Sequence, residues 1–582
     1  MRRISFPVQM IKQRSISTVV TPFSAEWVTV NIPCNNRVLT YGGVDGSAVK
    51  YNFFIDKHEL AESSIAEYNA DPINSTRQIT IDSRGDNKPA TSLTWNEAAR
   101  FVNWLNIREG EQPAYNFTTS SVNDNISLWS SASAWQTGRE NLYRHVNAKY
   151  FIPTEDEWYK AAYYDPDERI YYSYPTGSNS PPVDVLSGSA VNTAVYDGLN
   201  VQPTEPADRT QSGGTSPFGT MGQGGNVTEW VESAFDKSSD TGSEARVGMG
   251  GNWTSPLGQL AGSVRASLSP TTESTTTGMR VAYAPVGTGS SSPDQLLSFV
   301  PIGDAGNAAY NTLSAYVTWG VVYTNGNGKG AVEYDFEMGT YAIKVCDIDE
   351  YNRDSINSTR QITIGNTSGY NANPAINISW NEAARFVNWL NIKEGEQPAY
   401  NFTTTGVNDN ITLWSSTSAW QNGGENLFRH KDTKYFIPSE DEFIKAGFYD
   451  GVNDVYYRFP TGSNNQPAPF GGGTDQDKIV YSQSGGDGGR APVDFCGGVS
   501  PYGTMGQSGN AYEWVESASD GTNNIATDNR GIRGGTASIS NYNIMTTLAS
   551  IDRHSSYSPT QDVGINCGFR VARAPVGTGS AP

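Results

Sequence analysis

One long stretch of this chain is written twice. Leu93–Asn106 returns as Ile378–Asn391, changed only at its first two positions, 285 residues further on. Tyr150–Glu157 returns as Tyr435–Glu442, Ser216–Gln223 as Ser500–Gln507, and Ala284–Ser290 as Ala574–Ser580. A period this long lies far above the roughly 20–50 residues of stacked solenoid repeats. Each copy must therefore bury its own core, as a complete domain does. The expected layout is an arm at 1–20, a first domain at 21–286, a Gly/Ser-rich linker at 287–298, a second domain at 299–576 and a tail at 577–582.

Two helices per copy are legible from their first turns. Thr94 with Glu97, and Ser379 with Glu382, have the spacing of capping boxes, and Ala98, Phe101, Val102 and Leu105 follow on one face. Thr154 with Glu157, and Ser439 with Glu442, repeat that grammar. Stretches rich in β-branched and aromatic residues, Glu26–Ile32 and Tyr316–Tyr323, predict strands ahead of the helices. Behind the helices both copies turn to long Gly/Ser/Thr/Asn-rich segments. The fold class expected is α+β and loop-rich.

A formal net charge of −20 argues against nucleic-acid and anionic-membrane partners, which need clustered Lys and Arg. No apolar run nears the roughly 18 residues that predict a membrane span. Met1–Lys12 carries the charge of a signal peptide without the apolar segment behind it, so standard secretion is not expected. Cys34 falls in the first copy, and Cys346, Cys496 and Cys567 in the second. None occupies equivalent positions, and a disulfide framework is expected to repeat with the domain. All four are expected to be free, buried thiols.

Phe151–Trp158, followed by Gly224–Trp230, Gly250–Trp253, Arg265–Ser267 and Gly278–Ala282, resembles the formylglycine-generating-enzyme (sulfatase-modifying factor) superfamily. The second copy answers with Gly534–Gly535, Asp552–Arg553 and Gly568–Ala572. The resemblance implies a C-type-lectin-like fold in two tandem copies. It also implies copper held by two cysteines spaced five apart. The matching positions are Leu257 and Gly262 in the first copy and Met545 and Ser550 in the second, so no thiolate is available and no copper is expected. Structural calcium is implied at the Gly-Asn loop, through Glu229, Gly225, Val227 and position 222, and through Glu513, Gly509, Ala511 and position 506. Gly222 and Gly506 depart from the pattern, standing where an oxygen-bearing side chain is usual. The Glu-Pro-Asn or Gln-Pro-Asp sugar loop of true C-type lectins is absent from both copies.

His145 and His430 occupy equivalent positions without a Cys or second His nearby and read as satisfied fold histidines. Where the copies disagree, aromatic residues on Gly/Ser/Asn-rich loops suggest a contact face: Trp253 in the first copy, and Tyr542, His554 and Tyr557 in the second. The resulting expectation is a non-catalytic structural or adhesive protein on an exposed surface. A phage virion decoration suits it best, with virion or surface proteins, a host receptor or glycan, or a second copy of the chain as partners. The alternative is a divergent enzyme of the same superfamily or a cell-surface binding protein.

Overall fold

The computed structural model describes residues 23, 25–31, 34, 38–39, 45–46, 49–138, 140–290, 292–310, 316–318, 321–323, 328–364, 371–484, 486–539, 548–549, 555–562 and 566–580. The arm at 1–20 lies outside them.

The first copy runs β1 (Trp27–Val30), β2 (Phe53–Asp56), α1 (Glu62–Ala70), α2 (Trp95–Glu109), β3 (Asn141–His145), β4 (Tyr150–Phe151) and α3 (Glu155–Tyr163). It continues through β5 (Thr228–Ala234), β6 (Arg246–Met249), β7 (Ala266–Leu268), β8 (Thr277–Met279) and β9 (Ala282–Tyr283). Two four-stranded sheets result. One has the order β1-β2-β9-β4 and is antiparallel throughout; the other is β7-β6-β5-β8, with β5 and β8 parallel. Because β9 pairs with β2, the copy closes its beginning against its end.

The second copy repeats the plan. Its elements are β10 (Phe299–Ile302), β11 (Phe336–Gly339), α4 (Val345–Arg353), α5 (Trp380–Lys393), β12 (Asn426–His430), β13 (Tyr435–Phe436) and α6 (Glu440–Phe448). The closing strands are β14 (Tyr512–Ala518), β15 (Arg530–Arg533), β16 (Ser555–Tyr557), β17 (Cys567–Phe569) and β18 (Ala572–Arg573). Its sheets run β10-β11-β18-β13 and β16-β15-β14-β17. The architecture is mixed α and β, twice over.

All four predicted capping boxes form, with the Thr or Ser hydroxyl accepting from the backbone N–H three residues on. Trp104 and Trp389 pack into the two cores, and each donates its indole N–H to an aspartate, Asp71 or Asp354. The acidic first turn of α3 is a structural device. Glu157 caps the helix, and its carboxylate also takes two bonds from fully buried Arg144, at 2.9 and 3.0 Å. Arg144 simultaneously grips Glu232, to which Tyr115 donates its hydroxyl. Arg429, Glu442, Glu516 and Tyr400 reproduce the arrangement. An arginine buried between two carboxylates satisfies its charge and most of its donors, and losing one member strands the others.

Two expectations are corrected here. Cys34 and Cys346 are joined in a disulfide with a Cα–Cα distance of 6.1 Å; only Cys496 and Cys567 are free and buried. The bridge ties one copy to the other, so it has no reason to repeat within each. The segment read as a linker also begins differently. Gly289 lies against the Trp135 ring and its carbonyl accepts from Gln136 N–H, while Gly579 does the same with Trp420 and Gln421. These Gly/Ser stretches therefore finish each copy, glycine being required because a side chain would strike the indole.

Further contacts join the copies beside the bridge. Lys50 donates to Glu350 at 2.9 Å and to the Cys346 carbonyl at 3.0 Å. Arg169 pairs with Asp494 at 2.8 Å and lies over the Phe495 ring. Arg353 donates to the Gly138 carbonyl at 2.6 Å.

Candidate functional site

The Lys50, Cys346 and Arg353 contacts border a cleft of 220 Å³ between the copies. Tyr51 supplies aromatic surface from the first copy, backed by the buried Trp135 and Tyr143, with Asp156 and Lys237 beside it; Asp349 and Arg353 face it from α4. Tyr51 donates its hydroxyl to Glu157, which fixes the ring, and burial beside that carboxylate raises its pKa far above the ordinary phenol. Arg144, held between Glu157 and Glu232, forms part of the floor. Glu155, also at the floor, is paired with Arg265 at 2.7 Å. In the second copy the same surface of α6 is covered. Gly330 N–H donates to Asp441, and Lys329 approaches Glu440 at 3.6 Å.

Cys346 lines this cleft, with Asp347 next in sequence. Sulfurs of Cys34 and Cys346 and a carboxylate oxygen of Asp347 lie within 4.8 Å of one another. The sulfurs are bonded to each other, so the group is a cystine beside a carboxylate and offers no thiolate to a metal. Both cysteines are about 1% exposed. At that burial the bridge acts as a strut for the cleft wall.

The Gly-Asn loops form the second constellation. Glu229 is fully buried and accepts from Arg280 Nε at 2.7 Å and Nη2 at 2.6 Å, and from Trp158 Nε1 at 2.7 Å. Glu513 is held in the same way by Arg570 at 2.6 and 2.7 Å, with Phe443 in place of the tryptophan. Gly222 and Gly506 both sit at positive φ, +80° and +77°. Their surroundings differ. A Cβ on Gly222 would collide with the carboxylate of Glu59, whereas a Cβ on Gly506 would lie 2.9 Å from Cys496 Sγ. Ala342 takes the place of Glu59: Leu60 N–H bonds the Met279 carbonyl as Ile343 N–H bonds that of Phe569, each at 2.8 Å. Sequence reasoning missed Glu59. Its only signal was that the copies differ there, Glu against Ala.

Both copies thus hold an Arg-locked Gly-Asn-x-x-Glu-Trp or Gly-Asn-x-x-Glu-Trp-like loop on the same two-sheet frame, and a family model for the sulfatase-modifying factor enzyme 1-like domain matches residues 44–285 and 324–575. The chain belongs to that family. Among curated protein sequences none matches. Three solved structures resemble it at low identity. CarF is 18% identical over 45% of this chain and 99% of its own, with a TM-score of 0.34. Treponema denticola variable protein 1 is 18% identical over 44% and 95%, with a TM-score of 0.30. PvdO from Pseudomonas aeruginosa is 16% identical over 44% and 91%, with a TM-score of 0.27.

Membership in the sulfatase-modifying factor enzyme family overturns the expectation of a non-catalytic virion or adhesive protein. A chain matched over both copies by a sulfatase-modifying factor enzyme 1-like model is not explained by display or host recognition. Copper chemistry of the kind the resemblance implied still does not fit the first copy. Leu257 packs against the buried cluster of Ala194, Tyr196 and Leu260, and a side chain on Gly262 would strike Tyr159 at 2.6 Å. The place of the two thiolates is filled with aromatic and aliphatic carbon, which offers copper no ligand. Met545 and Ser550 lie outside the described residues.

The expected contact face is corrected at Trp253. Trp253 is 5% exposed, packed with Val195, Ala207 and Val227 under the Arg84 guanidinium. Its Gly/Ser/Asn-rich neighbours wrap it rather than present it. Tyr557 is half-buried against the second core. Tyr542 and His554 lie outside the described residues. His145 and His430 each meet a tryptophan edge, Trp129 or Trp414, at 4.6 Å, and burial lowers the pKa of both.

Proposed function

We propose that the chain is a divergent enzyme of the formylglycine-generating and oxidase superfamily, and that its substrate sits in the cleft between the two copies. The observation that carries this reading is the lining of that cleft. The Tyr51 ring, backed by the buried Trp135 and Tyr143, stands among charges of both signs (Asp156, Lys237, Asp349, Arg353) in a concavity walled by both domains. Apolar walls with a few convergent polar groups, at a domain interface, are the usual anatomy of a small-molecule or peptide site. This lining suits an amphipathic ligand with both charges, such as a short peptide. Asp156 and Lys237 would orient its termini or side chains, and the Tyr51 ring would cover its apolar part. Arg144 and Glu157 keep the floor rigid, and the cystine keeps the α4 wall in register.

The C-type-lectin-like assignment of each copy belongs to the same reading, supported by its two four-stranded sheets and three helices. A working place outside the reducing cytosol is supported by the cystine, since such bridges persist where thiols are not kept reduced. Among the described residues no helix is long and apolar enough to cross a membrane.

The test is a turnover assay with Cys-containing and Cys-free peptides in air-saturated buffer, read by mass spectrometry for any change of peptide mass. Modification that falls at least tenfold in Asp156→Asn or Lys237→Ala, with unchanged melting temperature, supports the cleft as the site. Turnover indifferent to both substitutions, or no change in any peptide, overturns the reading.

A further inference from the structure

Two exposed isoleucines recur at the same places in both copies. Ile73 and Ile107 are 53% and 48% exposed, and their counterparts Ile356 and Ile392 are 46% and 44% exposed. A buried residue recurs because each core needs it; an exposed isoleucine has no such reason. Exposed Val183 and Leu186 are not kept, giving way to Ala468 and Gly471. Ile73 and Ile107 line the open side of a pocket of 280 Å³, and Ile356 and Ile392 that of a second pocket of 260 Å³. Every residue lining the first has the same residue type at the matching place in the second. Arg100, Asn103, Trp104 and Ile107 stand at i, i+3, i+4 and i+7, so one face of α2 forms a wall. Arg77, from the chain after α1, and Phe117, from the loop after α2, complete it.

The charge in each pocket is positive. Arg100 Nε donates to the Val122 carbonyl at 2.9 Å and Nη2 to that of Thr119 at 3.2 Å, and the guanidinium lies 3.8 Å from the Phe117 ring centre. Arg77 Nε donates to the Ser120 carbonyl at 3.2 Å. Arg385 is held in the same way by Val407 and Thr404, over Phe402, and Arg360 Nε is buried with no hydrogen-bond partner. These bonds all go to backbone carbonyls and leave most N–H donors of each guanidinium unused. Among the described residues no carboxylate forms an ion pair with any of the four arginines. Burial, and then the Arg77 charge, lower the Arg100 pKa, while Asp124 offsets them only through space. In a chain with 60 acidic and 40 basic side chains, two neighbouring arginines that take no carboxylate form an open place for an anion. The guanidinium fork matches the oxygens of a carboxylate or a phosphate.

We propose that each copy binds one small amphipathic anion in this pocket, an oxyanion carried on a compact apolar body. Arg77 and Arg100, or Arg360 and Arg385, hold the oxyanion. Ile73, Ile107 and Phe117, or Ile356, Ile392 and Phe402, cover the apolar part. Neither pocket shares a lining residue with the cleft between the copies, so these sites stand whether or not that cleft takes a substrate.

The experiment is calorimetric titration of the full chain with 2-naphthoate, with 2-naphthyl phosphate and with uncharged 2-naphthylmethanol. Two equivalents per chain are expected for at least one anion, with the alcohol at least tenfold weaker. A preference for one anion over the other supports the site and identifies its oxyanion. Arg77→Gln and Arg360→Gln should each lower the stoichiometry to one. Ile107→Asp, a change at an exposed helix position, should do the same. Equal affinity for the alcohol overturns the role of the arginines. A stoichiometry that stays at two in Arg77→Gln and Ile107→Asp, both folded by circular dichroism, overturns the pocket as the site. No binding of either anion at millimolar concentration overturns the proposal, and that measurement needs only the wild type.

Discussion

The Arg144 cluster and the Glu59 pocket are both buried and both charged, yet one is copied without change and the other is not. Arg144, Glu157, Glu232, Tyr51 and Tyr115 have exact counterparts in Arg429, Glu442, Glu516, Tyr334 and Tyr400, with matching bonds. Glu59 faces Ala342. The first cluster connects a helix cap to the central strand of a sheet, so each copy needs it to close. The second adds charge to a loop already locked by an arginine, and the second copy closes without it. Shared burial therefore does not mean shared purpose; what decides is whether a neighbouring element depends on the group.

That contrast can be attacked by substituting the copies in parallel and following denaturant unfolding. The largest effect is expected for Arg144→Ala and Arg429→Ala, each leaving two buried carboxylates unpaired at a cost of about 3–5 kcal/mol. The two penalties should agree within about 1 kcal/mol; a large inequality would show that the clusters differ in purpose after all. Cys34→Ser comes next. Releasing the bridge should cost about 2–4 kcal/mol and split a single transition into two, one per copy. A single unchanged transition would mean that the other interface contacts suffice. Tyr51→Phe and Tyr334→Phe follow, each deleting one hydroxyl donor to a charged acceptor. They should cost about 1.5 kcal/mol, near the lower end for such bonds, and equally in both copies. Smallest are Thr154→Ala and Ser439→Ala, which remove the α3 and α6 caps and should each cost about 1 kcal/mol.

Local grammar was legible in the sequence because it is local. Thr94 and Glu97, or Ser439 and Glu442, lie three residues apart, and their hydrogen bonds follow from that spacing alone. The repeat likewise exposed the Glu229 and Glu513 loops. What escaped was set by contacts far apart in the chain. Cys34 meets Cys346 across 312 residues, a pairing invisible to reasoning that treats each copy separately. Glu59 reaches Asn226 across 167 residues. Trp253 reads as exposed from its small polar neighbours, and only Val195, Val227 and Arg84, folded over it from elsewhere, make it core.

The bridge also makes two near-identical domains mechanically unequal. A pull on the chain ends is carried across the Cys34–Cys346 bond, which shields the 312 intervening steps from tension. At about 3.5 Å per residue that is on the order of 1,000 Å of contour withheld from extension. Nearly all of the first copy lies inside the shielded loop, while α5, α6 and the closing strands of the second lie outside it. In a force-extension experiment the second copy would yield and the first would remain silent until a reductant opened the bond.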